Sequence, residues 1–314
     1  MSSALAALAA VVVAALASAA AGCGFGEGNE RPGGGATLWV TRDFGHRELG
    51  STKFDSVREG QTVMRMLRSD FDVTTRFGGR FVQSIDGLEG QGTGGQVDWF
   101  YWVNGLEADR GGAEWEVLPG DRIQWDHRDW SATMRIPAIV GAYPEPFANG
   151  LEGKRRPVRV ECEEVGSRAC ADARERLTDV GVSTSGSSLG APGTEAVTRL
   201  VVARWPRARI VRGATGMEDG PKATGVFARF TRDGDTLELL DEEGRTARRV
   251  RRGDGVGLVL ALQPRAEELV WIVTALDEEG LEAGVRALDE RKLRNAFAVA
   301  VTGDRVEKLP LVDR

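Results

Sequence analysis

The chain has 314 residues, 41 % hydrophobic and 28 % charged, a composition that fits folded domains in water and excludes a protein of many membrane spans. Its net charge of −6 argues against a nucleic-acid partner, which needs a basic face. Histidine occurs only at His46 and His127, which removes most routes to His-based catalysis and His-rich metal sites. At about 100–200 residues per domain, the length predicts two domains. The basic runs Lys154-Arg155-Arg156 and Arg248-Arg249 with Arg251-Arg252 have acidic neighbours and read as solvated surface.

Ala4 to Ala21 is an uncharged run of small and apolar residues, closed by Gly22 and Cys23. Residues 1–22 read as an export signal. The tetrad Ala20-Ala21-Gly22-Cys23 resembles a bacterial lipobox, in which small residues fit the peptidase cleft and the thiol accepts the lipid; Leu is usual where Ala20 stands. The alternative is an uncleaved anchor helix, since about 18 apolar residues just span a bilayer. Both place the rest of the chain outside the cytoplasm, at the cell surface. The lipoprotein reading anchors it to the cytoplasmic membrane through Cys23. No basic residue precedes Arg31, which suggests a start upstream of Met1. Residues 23–35 are Gly-rich and read as a flexible tether. In an oxidising compartment Cys162 and Cys170 are a candidate disulfide. A metal pair has less support, with no His or further Cys nearby.

Residues 36–130 read as the first folded domain. Thr37 to Arg42 alternates around Leu38 and Val40 and predicts a strand. Thr62 is an N-cap candidate for a short helix with Val63, Met66 and Leu67 on one face. Phe81 to Ile85 alternates again, before the turn Asp86-Gly87. Trp99-Phe100-Tyr101-Trp102-Val103 followed by Asn104-Gly105 is a strong hairpin signal. Strands at Glu114–Leu118 and Arg122–Asp126 are separated by the turn Pro119-Gly120-Asp121.

The series Glu59-Gly60-Gln61-Thr62-Val63, Phe81-Val82-x-Ser84-Ile85-x-Gly87, Trp102-Val103-Asn104-Gly105 and Pro119-Gly120-Asp121-x-Ile123-x-Trp125 resembles the family that holds the C-terminal β-domain of transcobalamin and intrinsic factor, found also in bacterial surface proteins. The resemblance covers about residues 36–130. It implies a β-grasp-like fold, a mixed sheet wrapped on one helix. In transcobalamin this domain packs over cobalamin held against a helical barrel; nothing else in this chain repeats helical hairpins. What the resemblance implies here is a sheet edge and loops presented to a flat, polar-rimmed ligand.

Six of the eight tryptophans lie before residue 131. Alternation puts Trp99, Tyr101 and Val103 on one face and Phe100 and Trp102 on the other. A small sheet with one helix does not easily cover both faces, so some aromatics are expected at a groove or an interdomain contact. Trp99, Tyr101, Trp102, Asn104, Trp115, Trp125 and Trp130 are the candidate ligand-binding residues.

Residues 131–156 contain Pro137, Pro144 and Pro146 with Tyr143 and Phe147; they read as an extended connector, interdomain mortar rather than a ligand lid. Residues 157–310 predict an α/β domain. Its elements are a strand at Val158–Cys162, a helix at Ala169–Leu177, a strand start at Val180–Val182 and a mobile Ser/Gly loop from Ser183 to Gly193. A buried segment at Leu200–Ala203 follows, then a hairpin from Gly225–Phe230 to Thr236–Leu240 around Asp233-Gly234. Apolar strands at Gly257–Leu262 and Leu269–Thr274 precede a helix from Asp277 to Leu288 and a final strand at Phe297–Val301.

The fold class is therefore α+β, with a β-grasp-like domain followed by an α/β domain. Gly253, Gly255 and Gly257 precede a strand instead of opening a helix, so a dinucleotide loop is not supported. Asp126, His127 and Asp129 form the densest polar cluster, but strand alternation sends Asp126 and His127 to opposite faces, and no metal site is assigned. Glu163-Glu164 and Asp241-Glu242-Glu243 read as solvated turn residues. With no catalytic motif, the chain is read as a non-enzymatic lipoprotein without a cofactor. It is expected to bind a soluble small molecule, cobalamin-like or another cofactor precursor, and to deliver it to a membrane transporter. The rivals are an adhesion or envelope-scaffold module and an envelope enzyme.

Overall fold

The computed structural model describes residues 28–92, 94–191, 196–266 and 268–312; the export signal and the lipidation position Cys23 lie outside the described residues. The first unit contains strands β1 (Ala36–Arg42), β2 (Arg47–Phe54), β3 (Val73–Arg76), β4 (Phe81–Ile85), β5 (Leu88–Glu89), β6 (Val97–Val103), β7 (Leu106–Glu107) and β8 (Arg122–Asp129), with helix α1 (Val63–Asp70). The main sheet runs β2-β1-β8-β6-β7, with β1 and β8 parallel at its centre and the other pairs antiparallel. This is the β-grasp arrangement expected from the sequence: a hairpin, a crossing helix and a last strand returning beside the first. Strands β3, β4 and β5 form a small accessory sheet.

Local chemistry accounts for these elements. Thr62 caps α1, its hydroxyl accepting from the Arg65 N–H at 3.2 Å. Val63, Met64, Met66 and Leu67 are buried with Leu38, Val40, Tyr101 and Trp125. Asn104 and Gly105 take φ of 51° and 82°, the left-handed pair that a two-residue hairpin turn needs. Strand β2 was not foreseen. Its RELGSTKF sequence is mostly exposed and carries few apolar residues, and the strand exists because β1 offers it an edge.

The second unit contains β9 (Val158–Cys162), α2 (Arg168–Asp179), β10 (Thr184–Ser188), β11 (Thr198–Val202), α3 (Trp205–Ala208), α4 (Pro221–Thr224), β12 (Ala228–Phe230), β13 (Thr236–Leu240), β14 (Thr246–Arg251), β15 (Val256–Arg265), β16 (Glu268–Ala275), α5 (Glu278–Arg286), α6 (Glu290–Leu293), β17 (Ala298–Thr302) and β18 (Arg305–Leu309). Seven strands form one sheet in the order β10-β9-β11-β16-β15-β17-β18. Helices α2 and α5 cover one face over Val160, Leu200 and Trp271. The β12-β13-β14 layer covers part of the other over Val201, Ile272 and Leu258. Gly257 serves this packing: a Cβ there would lie 2.2 Å from the Gly280 carbonyl oxygen, so glycine lets α5 sit directly on β15.

Four expectations are corrected here. The strand expected at Glu114–Leu118 does not form, and Glu116 makes only an isolated bridge to Thr62. The strand start placed at Val180–Val182 belongs to the turn after α2, and Thr184–Ser188, expected as a Ser/Gly loop, forms edge strand β10 through parallel pairing with β9. Phe297–Val301 is not the last strand, because β18 follows it. The Arg248–Arg251 run, expected as solvated surface beside acidic residues, keeps Arg249 and Arg251 exposed on β14; Val250 turns inward, and Arg248 and Arg249 pair with Glu307 and Glu238. Polar sequence becomes strand at β10 and β18 because a neighbour supplies the ladder, which propensity does not register.

The two units share a buried interface. Between β1 and β2, Asp43 and Phe44 both have positive φ, and the buried Phe44 ring meets Phe227 and Phe297 edge-on at 4.9 and 5.6 Å. Asp126 holds this turn, accepting from the Thr41 hydroxyl at 2.6 Å, the Phe44 N–H at 3.0 Å and the Gly45 N–H at 2.8 Å. Lys308 donates to the Gly45 carbonyl at 2.5 Å and Gln124 to the Asn295 carbonyl at 3.2 Å. The connector completes the wall: Ile139 and Val140 donate to Gly105 and Phe297 carbonyls, and Phe147 packs on Trp271 at 5.1 Å.

Cys162, at the end of β9, and Cys170, in α2, form a disulfide across a short loop. Replacing both by Ser is expected to cost about 2–3 kcal/mol from loop-closure entropy, read as a lower midpoint in denaturant unfolding. Burial pushes the Asp126 carboxyl up to about 7 from its ordinary 3.8, against the Thr41, Gly45 and Phe44 donors and the Arg128 charge that hold it down. The folded chain then holds the extra proton between about pH 4 and 7, so this contribution is full in acid and is lost as pH rises through about 7. Relative to the native chain, Asp126→Asn should gain stability across that window; unfolding curves of both proteins at several pH values check the sign.

Candidate functional site

The parity of β6 defines an outer edge. Asn104 N–H donates to Arg122 and Trp130 N–H to Gln96 on the β8 side, whereas Gln91 N–H donates to Val97 and Ala108 N–H to Tyr101 on the other. The main-chain groups of Trp99 therefore face outward, between the partners of Val97 and Tyr101. Along this edge lies an open cleft of about 730 Å³, a size common for small-molecule sites.

The cleft floor is aromatic. Tyr101 stacks on Trp125 at 4.5 Å and its hydroxyl donates to the Arg110 carbonyl at 2.6 Å. Burial pushes that hydroxyl well above the ordinary tyrosine range, so it stays protonated and fixed as a donor. Trp99 donates through Nε1 to the Leu88 carbonyl at 3.0 Å, and Trp130 through Nε1 to Asp98 at 3.2 Å.

The rim is apolar and open to solvent. Phe77, Phe81 and Met134 are 74 %, 64 % and 62 % exposed, and all three line the cleft. Phe77 has a φ of 53°, followed by Gly78 and Gly79 at 71° and 93°. A bulky aromatic in the left-handed region is uncommon, and such strain concentrates at functional sites. The Phe77 and Phe81 rings meet edge-on at 5.7 Å. Met134 is placed by a buried cation: Arg128 lies 4.1 Å over the Phe100 ring and donates to the Thr133 and Met134 carbonyls at 3.0 and 2.7 Å. Burial lowers Arg128 to about 10, with Asp126, Glu107 and Asp129 opposing the shift.

Charges of both signs ring the opening. Arg80 approaches Glu114 at 3.8 Å, and Arg110 pairs with Glu152 at 2.6 Å while lying 4.3 Å over Trp115. Glu107 is half-buried, and burial raises its carboxyl although Arg135 lies 3.3 Å away. Arg76 makes no ion pair among the described residues and is available to an anionic group.

Four of the seven predicted ligand residues, Trp99, Tyr101, Trp125 and Trp130, meet at this cleft. The other three are corrected. Trp102 faces the second unit, buried edge-on to Phe297 at 4.9 Å with its N–H on the Ile136 carbonyl at 2.7 Å. Asn104 is a buried turn residue whose amide donates to Asp121 and the Gly150 carbonyl, at 2.8 and 2.9 Å. Trp115 is buried beneath Arg110, and its carbonyl accepts from Val63 at 3.0 Å. Phe77, Phe81 and Met134 were missed. The signal was Phe77-Gly78-Gly79-Arg80-Phe81: two large rings on a glycine turn have no adjacent element to bury them. Asp126 and His127 leave opposite faces of β8, His127 meeting the Glu89 carbonyl at 3.0 Å. Among the described residues no three metal-ligating side chains gather.

The fold and cleft define a two-unit α+β protein whose β-grasp unit presents an aromatic groove at its sheet edge. Residues 60–128, from the turn before α1 to β8, match the family described as Domain of unknown function (DUF4430). A candidate metal binding protein from Ruminococcus gnavus is similar in structure over 31 % of this chain and 97 % of its own, with 17 % identity and a TM-score of 0.26. No curated protein matches the chain.

Exposed rings contribute little to folding. Phe77→Ala and Phe81→Ala should each change stability by less than about 0.5 kcal/mol, whereas Trp102→Ala should cost about 3–5 kcal/mol. Urea unfolding of the three variants separates rim from core.

Proposed function

We propose that this chain is an exported, non-catalytic ligand-binding protein, anchored through Cys23, that seats a flat, polar-rimmed molecule of cofactor size in the β6 cleft and passes it to a membrane transporter. The observation that carries this reading is the convergence of Phe77, Phe81 and Met134, all largely exposed, on a cleft floored by Trp99, Tyr101 and Trp125. Apolar surface left in water at a preformed concavity is the usual mark of a binding site.

A corrinoid is the first ligand to try, on the resemblance of residues 36–130 to the transcobalamin β-domain. The described second unit is an α/β layer structure and contains no helical barrel to close over such a ligand. The cleft grips from one side, which suits release to a carrier better than storage. Arg76 and Arg80 stand where they would meet carboxylate, phosphate or amide groups at the ligand's periphery.

Equilibrium dialysis of the protein against cyanocobalamin, cobinamide and haem tests the reading. Saturable binding that falls at least tenfold in the Phe77→Ser, Phe81→Ser double variant is expected, since withdrawing two rings from contact removes about 1.5–3 kcal/mol each and about 1.4 kcal/mol is tenfold. Absence of binding across the panel counts against it. Capture of an envelope protein that the same double variant abolishes would move the reading to an adhesion or scaffold module, which an exposed aromatic rim also suits.

A further inference from the structure

A second cleft, of about 640 Å³, opens on the other unit, where β9, β11 and β16 begin. No residue of β9 or β10 belongs to the apolar cluster beneath the β12-β13-β14 layer, so among the described residues this part of the sheet's second face has no apolar roof. It is paved with charge instead. Arg159 of β9 and Arg199 of β11 stand directly opposite each other in register. Two like charges so placed are unfavourable unless each has a counter-charge.

One of them has. Arg199 forms a fork with Glu161, Nε to Oε1 at 2.8 Å and Nη2 to Oε2 at 2.7 Å, and its Nη1 lies 3.5 Å from Glu268. Both carboxylates lining the cleft are thereby committed to the same guanidinium. Arg159, Arg212 and Arg265 line the cleft with no acidic partner among the described residues. Arg159 is half-buried, so water compensates its charge less fully than at an exposed site. Arg156 also lines this cleft and, with Arg155, the shallower concavity beside it. Leaving aside Arg156, which has contacts of its own, four arginines face two glutamates among the described lining residues, a local excess of two positive charges in a chain whose net charge is −6.

We propose that this cleft is an anion site for a phosphate-bearing group. Planar guanidinium forks match phosphate oxygens in pairs. Several uncompensated cations at one opening favour a multiply charged anion over a lone carboxylate. The site is separate from the β6 cleft and does not depend on what binds there. The phosphate can belong to a soluble pyrophosphate-type compound or to a phospholipid headgroup, and the recognition chemistry is the same.

The test uses the full chain and inorganic pyrophosphate, followed by isothermal titration and ³¹P line broadening, with phosphatidylglycerol vesicles as a second arm. The expected result is saturable pyrophosphate binding that weakens as salt rises and falls at least tenfold in Arg159→Ala and in the Arg212→Ala, Arg265→Ala double variant, each with an unchanged melting temperature. Arg159→Lys, which keeps the charge and loses the fork, should fall between. Vesicle sedimentation that these variants reduce and pyrophosphate reverses assigns the source to lipid; pyrophosphate binding without vesicle binding assigns it to solution. No pyrophosphate binding at millimolar concentration, or binding indifferent to all these variants, overturns the proposal.

Discussion

The seating of Phe44 and Trp102 in the second unit decides what the rest of the molecule can do. A grasp sheet with one short helix has one face covered by that helix and one left over. Here the second unit covers the leftover face, with Phe227 and Phe297 meeting Phe44 and with Phe297 meeting Trp102. Asp126 makes this possible by tying the 43–45 turn to β8 through two hydrogen bonds, from the Phe44 and Gly45 N–H groups, with a third from Thr41 in β1. Once both faces are occupied, the aromatic surplus of β6 has one outlet, the outer edge, where no described strand pairs with β6 at Trp99.

Buried charge positions that outlet. Arg128 costs desolvation, and it offsets this by ring stacking on Phe100, two carbonyl acceptors and the field of Asp126 and Glu107. Because those carbonyls belong to Thr133 and Met134, the guanidinium fixes the chain where the connector passes the cleft mouth. The connector is thus part of the interface through Ile139, Tyr143 and Phe147 and part of the cleft through Met134. In the second unit the strand carboxyl ends, where α/β sheets usually hold ligands, carry the Glu163–Arg204 pair at 2.7 Å and the disulfide. The arginine cleft lies at the opposite ends of the same strands.

Much of the β-grasp unit was legible because its signals are local. Thr62 as a cap, Asn104-Gly105 as a turn with both residues left-handed, and alternation through Trp99–Val103 all depend on neighbours a few residues away. The division of Trp99 and Tyr101 from Phe100 and Trp102 follows from the pleat alone. Strands β2, β10 and β18 were illegible because their residues are polar and each becomes a strand only when another strand presents an edge.

Amino-acid order by itself determined the α+β class, the capped helix, the hairpin turn and the two faces of β6, since backbone sterics and side-chain alternation act within a short stretch of chain. Tertiary structure alone decided which aromatic residues are core, interface or rim. Trp102 and Trp99 are alike in kind and period, and their fates differ because a second unit lies against one face while the sheet stops at the other's edge. Burial is a property of what comes to lie alongside, brought there by residues as distant as Phe297 and Asn295, and no pattern confined to β6 carries that information.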